Sequence, residues 1–192
     1  MNRRAVSIST DFKTREEDGR RYIEGYFAVF NSFYELWPGA AETIDQGAFN
    51  LARDTDVRAL TNHDTTLVLG RTTAKTLQLS VDDHGLFGII EVNDADQDAV
   101  NAYERVKRGD VTQCSFGFDI LDELPITENG ETVWHLRDVK LYEVSVCTFP
   151  AYEDTAITAR KAELETIKKR KAETWRRDMI KKLKGETGCC GR

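Results

Sequence analysis

Residues 112–149 read TQCSFGFDILDELPITENGETVWHLRDVKLYEVSVCTF. Aromatic and β-branched residues recur here at alternate positions over short runs, the pattern of strands that bury one face. The reading gives three strands, TQCSFGFDI, TVWHLRDVK and LYEVSVCTF, with ENGE as a hairpin turn between the first two. On the first strand, alternation puts Cys114, Phe116, Phe118 and Ile120 on one face and Ser115, Gly117 and Asp119 on the other. The face with the two phenylalanines is core, so Cys114 reads as a small buried hydrophobe with a suppressed thiolate. Ser115 then faces the polar side, and Gly117 leaves space beside it. On the last strand Leu141, Glu143, Ser145 and Cys147 share one face, with Tyr142, Val144 and Val146 on the other.

Working outward, RAVSISTDF, the polar turn KTREEDG and RRYIEGYFAVF read as an opening hairpin. NSFYELWPGA has loop chemistry, broken by Pro38 and Gly39. DQGAFNLARDT reads as a short helix before the strand VRALTNHD. LVLGRT, TLQLSVD and LFGIIEVN are three further short strands, the last two joined through DDHG. An aspartate near 94–96 caps a helix through DQDAVNAYERVKRG, with Val100, Tyr103 and Val106 on one face and Gly109 at its end. Many strands, short turns and intercalated helices predict a mainly β fold with helices (α+β), built as a closed or nearly closed antiparallel barrel flanked by helices.

The charge distribution divides the chain. Residues 1–159 hold 15 Lys and Arg against 28 Asp and Glu, whereas residues 160–192 hold 12 against 5. The predicted organisation is therefore a β domain over 1–157 and a basic tail over 158–192. From Thr158 to Lys184 the tail has no Pro or Gly and reads as an amphipathic helix, with Leu164, Ala172, Trp175, Met179 and Leu183 on one face, interrupted by Lys168. It suits a partner protein, a nucleic acid or an acidic surface, or a solvated helix packed on its own domain. The closing GETGCCGR reads as disordered.

Apolar residues at 40% and charged residues at 31% fit a soluble globular class rather than a disordered or membrane one. No apolar run reaches the ~20 residues of a membrane span, and the start lacks the apolar stretch of a signal peptide, so a cytoplasmic protein is expected. Of four cysteines, Cys114 and Cys147 lie in apolar strands and Cys189 and Cys190 are adjacent in the tail, so free thiols are expected. No Gly-rich phosphate loop and no cluster of metal ligands occurs, so neither cofactor nor metal is expected.

Three histidines bound the search for a general base. His84 lies in a turn. His135 lies on a strand, on the face opposite Trp134 and Leu136. His63, in ALTNHDTTLVLG, closes a strand-like run beside polar groups. A serine hydroxyl is a poor nucleophile until a base removes its proton, and His63 is the base that Ser115 would use. A strand serine bonding to backbone is the commoner case. Glu143 sits in an apolar run, where a carboxylate is costly unless paired. It orients a histidine, as the acid of a triad does, or, in the commoner case, lies on an edge strand or pairs with Arg137 or Lys140.

In order, IEGYFAVFN, ETIDQGAF, VRALTNHDTTLVLGRT, LQLSVDDHGLFGIIEVND, VKRGDVTQCSFGF and VKLYEVSVCTFPAYEDT resemble the prohead maturation proteases of tailed phages. These are serine peptidases with a barrel related to the herpesvirus assembly protease, and the segments span Ile23 to Thr155. The resemblance implies His63 as general base and Ser115 as nucleophile. It leaves the third member between Glu143 and the second histidine that the herpesvirus relatives use; His135 lies outside the matching segment, so Glu143 is expected. Backbone N–H groups in FPAYED are candidates for the oxyanion hole.

The implied function is a serine endopeptidase acting in the host cytoplasm, inside the assembling prohead of a phage or prophage. It would cleave scaffold protein or the scaffold-like segment of the major capsid protein, and itself. The herpesvirus relatives act as dimers, so a homodimer is a further implication; no membrane and no specific nucleic acid is expected as partner. The alternatives are a non-catalytic capsid-assembly or scaffold-binding module of the same fold, a cysteine hydrolase using Cys114, and an esterase, which the absence of a G-x-S-x-G elbow disfavours.

Overall fold

Asn129 and Gly130 both take positive φ, 51° and 87°, the two-residue turn whose twist matches a β-hairpin. That turn folds the quoted segment into two strands rather than three, because residues 131–147 run as one strand through both TVWHLRDVK and LYEVSVC. The computed structural model of the protein describes residues 4–9, 12–149 and 154–183. In chain order the strands are β1 (Arg4–Ser9), β2 (Lys13–Glu17), β3 (Arg20–Val29), β4 (Tyr34–Trp37), β5 (Ala40–Ile44), β6 (Arg58–Thr61), β7 (Asp64–Arg71), β8 (Leu77–Val81) and β9 (Gly85–Glu91). Then follow α1 (Gln97–Arg108), β10 (Gln113–Glu128), β11 (Glu131–Cys147) and α2 (Asp154–Leu183). Contacts divide the chain into two units, Met1–Tyr152 and Glu153–Arg192, a few residues before the division at 157/158 read from the sequence.

The α+β reading holds, but among the described residues the strands form two open sheets and neither closes into a barrel. The larger has seven strands in the order β1-β10-β11-β5-β4, with β6 also on β11 and β7 on β6. It forks because β11 is long enough to take two parallel partners in succession on one edge. β5 pairs with Thr132–Leu136 and β6 with Glu143–Val146. Closure needs the two end strands to bond to each other, and here the branches end separately at β4 and β7. The other sheet is β2-β3-β9-β8. The two parallel pairings also make the larger sheet mixed rather than antiparallel.

Several local expectations change with this topology. β1 pairs with β10 across the molecule, Val6 opposite Phe116, instead of forming a hairpin with β3. The hairpin partner of β3 is β2, formed from KTREE through the turn Asp18–Gly19. NSFYELWPGA contains β4, which turns at Pro38–Gly39 into β5. DQGAFNLARDT forms no helix. Ala48 and Phe49 are both buried, Phe49 bridges Val139, and Arg53 bonds Asp138 and the Val139 carbonyl. Adjacent apolar residues and side chains that capture backbone hold this segment as turns. α1 follows the sequence reading: Asp96 caps it by accepting from the Asp98 N–H, and Gly109 ends it at φ 86°.

The core of the first unit lies under the β10 face predicted from alternation. Cys114, Phe116 and Phe118 are fully buried, and Phe116 stacks on Phe118 at 4.8 Å and meets Phe49 edge-on at 5.5 Å. On β11, however, Leu141 joins the core with Val144 and Val146 and does not share the face of Glu143. The cause is a bulge. Gly117 pairs with Glu143 and Phe118 with Leu141, so Tyr142 is an extra residue that reverses the alternation.

In the second unit α2 begins at Asp154. Ala172, Trp175, Met179 and Leu183 keep their helical spacing, but over the whole helix the apolar residues do not gather on one side. Trp175, Met179, Ile180 and Leu183 are exposed. The tail end with Cys189 and Cys190, and most of FPAYED, lie outside the described residues. No described helix is long and apolar enough to cross a membrane.

Candidate active site

His63 is at the tip of the β6–β7 hairpin, not at the end of a strand. Thr61 pairs with Asp64, and the two residues between them, Asn62 and His63, have φ of 51° and 59°. Left-handed backbone is costly for a histidine, on the order of 1–3 kcal/mol, and persists where the surroundings enforce it. β11 enforces it here. The Asn62 N–H donates to the Val146 carbonyl at 3.0 Å, and the Asn62 side-chain oxygen accepts from the Thr148 N–H at 2.9 Å. The His63 N–H donates to Ser145 Oγ at 3.3 Å.

Pinned in this way, the ring reaches down to β11. His63 Nδ1 is 2.6 Å from Glu143 Oε1. The other carboxylate oxygen, Oε2, accepts from the Ser145 hydroxyl at 2.6 Å. Glu143 is 9% exposed, and its two oxygens meet the histidine and the serine, whereas Arg137 pairs with Asp122. Cys147 Sγ lies 3.9 Å from His63 Nε2 on the same face of β11.

Ser115 stands one strand away on that face. It pairs directly with Ser145, and Gly117 pairs with Glu143, so the side chains at 115, 143 and 145 project to the same side. Two expectations about this strand change. Ser115 is on the face read as polar, yet it is fully buried there. The space at Gly117 belongs to Glu143, because a Cβ built on Gly117 would lie 2.3 Å from Glu143 Oε1.

The other histidines are elsewhere. His135 is eight positions from Glu143 along β11, about 26 Å at ~3.3 Å per residue, and its Nδ1 meets Asp45 Oδ1 at 2.8 Å. It borders a cleft of about 590 Å³ with Phe33, Ile126 and Val133, which none of Ser115, His63 or Glu143 lines. His84 packs edge-on against Tyr26, ring centres 4.4 Å apart.

Burial of the His63 ring works against its charged form. The contacts with Cys147 and Glu143, and the charge on Glu143, outweigh that and push its pKa up to about 10 from 6.5. Because the folded value is the higher one, the stabilisation this contributes is complete below ~6.5 and is lost as pH rises through about 10. A base must be neutral to accept a proton, so kcat/KM is expected to rise with pH along a limb near 10. In Glu143→Gln that limb should move down, only part of the way because the Cys147 contact remains, with a lower plateau. Matched pH profiles check this, and coincident limbs would contradict it.

A histidine bonded to a buried carboxylate thus lies on one face with a strand serine, the three residue types that a serine hydrolase combines. The chain belongs to the caudovirus prohead serine protease family, whose sequence profile matches residues 9–170. It is also 32% identical over 171 residues to the prohead protease of Enterobacteria phage HK97, covering 85% of this chain and 71% of that one. No solved structure matches it significantly. A serine peptidase follows from this membership, and the non-catalytic module is not favoured.

Asn62, Ser145 and Cys147 had no role assigned from the sequence. Alternation already placed Ser145 and Cys147 on the face of Glu143. The dipeptide Asn62–His63 carries the turn signal, an Asn entering left-handed backbone, that the strand-like neighbours disguise.

Proposed function

We propose that this chain matures a tailed-phage prohead by endoproteolysis, with Ser115 as nucleophile, His63 as general base and Glu143 as the acid that orients His63. The observation that carries the reading is the 2.6 Å contact of His63 Nδ1 with Glu143, on the face that Ser115 shares. A carboxylate on Nδ1 fixes the tautomer with its lone pair on Nε2 and stabilises the imidazolium that forms. His63 takes the Ser115 proton as Oγ attacks the peptide carbonyl. The tetrahedral intermediate collapses to an acyl-enzyme as the imidazolium gives that proton to the departing amine. Water then attacks the ester, His63 takes its proton, and collapse returns Ser115 with a free carboxylic acid product.

The substrates in this reading are the scaffold protein or the scaffold-like segment of the major capsid protein, inside the assembling shell in the host cytoplasm. The chain also cleaves itself and acts as a homodimer. Between Arg160 and Leu183, α2 carries 10 Lys and Arg against 4 Asp and Glu, with Trp175, Met179, Ile180 and Leu183 exposed among them. These features support docking on acidic scaffold helices. Deleting residues 160–192 should abolish packaging of the protease with its capsid protein on co-expression while leaving peptide cleavage intact. Packaging undiminished by the deletion would contradict the docking role, and capsid precursor left unprocessed by the intact chain would contradict the substrate.

A further inference from the structure

We propose that Ser145 is a positioning residue for the reaction, a single buried hydroxyl that sets both the backbone of the base and the carboxylate of the acid. The proposal rests on the reading of His63 and Glu143 given above. A serine hydroxyl has one proton and two lone pairs. Here the proton goes to Glu143 Oε2 at 2.6 Å, and the oxygen accepts the His63 N–H at 3.3 Å. Ser145 is fully buried, so bulk water does not replace either bond when the hydroxyl is removed.

The two partners arrive from different elements. Glu143 is two residues away on β11, and His63 is at the tip of a separate hairpin. Asn62 also ties that tip down, through Val146 and Thr148, but those bonds do not touch Glu143. Ser145 alone among these contacts bonds to both members, and so converts the height of the turn above β11 into the distance from Nδ1 to Oε1. Ser115 is its cross-strand partner on β10, on the same face. A group placed there by geometry acts on catalysis without meeting the substrate.

The test uses the full chain with Ser145→Ala, Ser145→Cys and Ser145→Thr. Alanine removes the hydroxyl, cysteine keeps bulk with only a weak donor, and threonine keeps the hydroxyl. Three readouts are taken: kcat and KM on a peptide substrate across pH, the low-field Nδ1 proton of His63 by NMR, and covalent labelling by a fluorophosphonate. The alanine and cysteine variants should lose about 10- to 100-fold in kcat, in line with the loss of a charge-assisted hydrogen bond. KM should change little, the pH limb should shift downward, and the Nδ1 resonance should broaden or move upfield. Threonine should restore the resonance and most of kcat.

A purely structural serine would lower the melting temperature and leave the pH limb and the Nδ1 resonance in place, which would overturn the proposal. Should the alanine variant not fold, the cysteine variant answers the same question. The NMR readout needs no turnover, so it judges Ser145 even if Ser115→Ala turns out active and the assignment of the nucleophile fails. A fluorophosphonate adduct on Ser145 itself would make it the nucleophile and overturn the positioning role.

Discussion

Ser115→Ala is expected to lower peptide hydrolysis by about 10⁴-fold or more, the scale seen when a nucleophile acting as a unit with its base is removed. His63→Ala should fall by a similar factor, and the double variant hardly further, because each loss already disables the same step. The folded state should survive. Ser115 is buried beside Ser145 on the site face, and alanine removes one hydroxyl without opening a cavity larger than an oxygen atom. Melting curves close to wild type together with silent hydrolysis are the expected pair of measurements. Activity within tenfold of wild type in Ser115→Ala would remove it from the mechanism and return attention to Cys114 or Ser145.

The second large effect is expected at a residue with no side chain. An added methyl at Gly117 would lie 2.3 Å from Glu143 Oε1 and 3.0 Å from its Cδ, far inside van der Waals contact. Glu143 has no slack to withdraw, because His63 holds one oxygen and Ser145 the other. Gly117→Ala should therefore cost kcat between about 10² and 10⁴-fold, the upper bound being the loss of the orienting acid altogether. KM should change much less. The double variant Gly117→Ala/Glu143→Asp should recover part of the loss, since the shorter acid retreats by one methylene. A glycine that only made room for substrate would show the opposite pattern: raised KM, near-normal kcat and no recovery.

Much of this architecture is legible in the sequence where the signal is local. Asp96 and Gly109 delimit α1, Asn129–Gly130 marks the long hairpin, and alternation buries Cys114, Phe116 and Phe118. The ordered set of family segments is also local, and it identified the protease. What was not legible depends on partners distant in the chain. Nothing in RAVSIS says that it will pair with β10 more than a hundred residues on, and nothing in LYEVSVC announces the bulge at Tyr142. That bulge turns Leu141 into the core and leaves Glu143 on the face of Ser115. Closure of a barrel likewise depends on which strand meets the second edge of β11, and a 17-residue strand with room for two parallel partners makes a fork.

The site divides in the same way. Ser115, His63 and Glu143 were identifiable as residues of the right chemistry, but their relation required the hairpin tip. His63 occupies a left-handed position that usually favours glycine, and Asn62 and Ser145 hold it there. Local propensity is thus overridden at the turn where the proposed mechanism needs an imidazole, as expected where function and folding compete.

In the proposed mechanism Ser115 carries the acyl group, with His63 as its base. Fluorophosphonate labelling of the intact chain followed by peptide mapping tests it most directly. One phosphonyl adduct is expected, on Ser115, formed quickly in the wild type and absent from His63→Ala; an adduct on any other side chain, or labelling of Ser115 undiminished without His63, would rule this mechanism out.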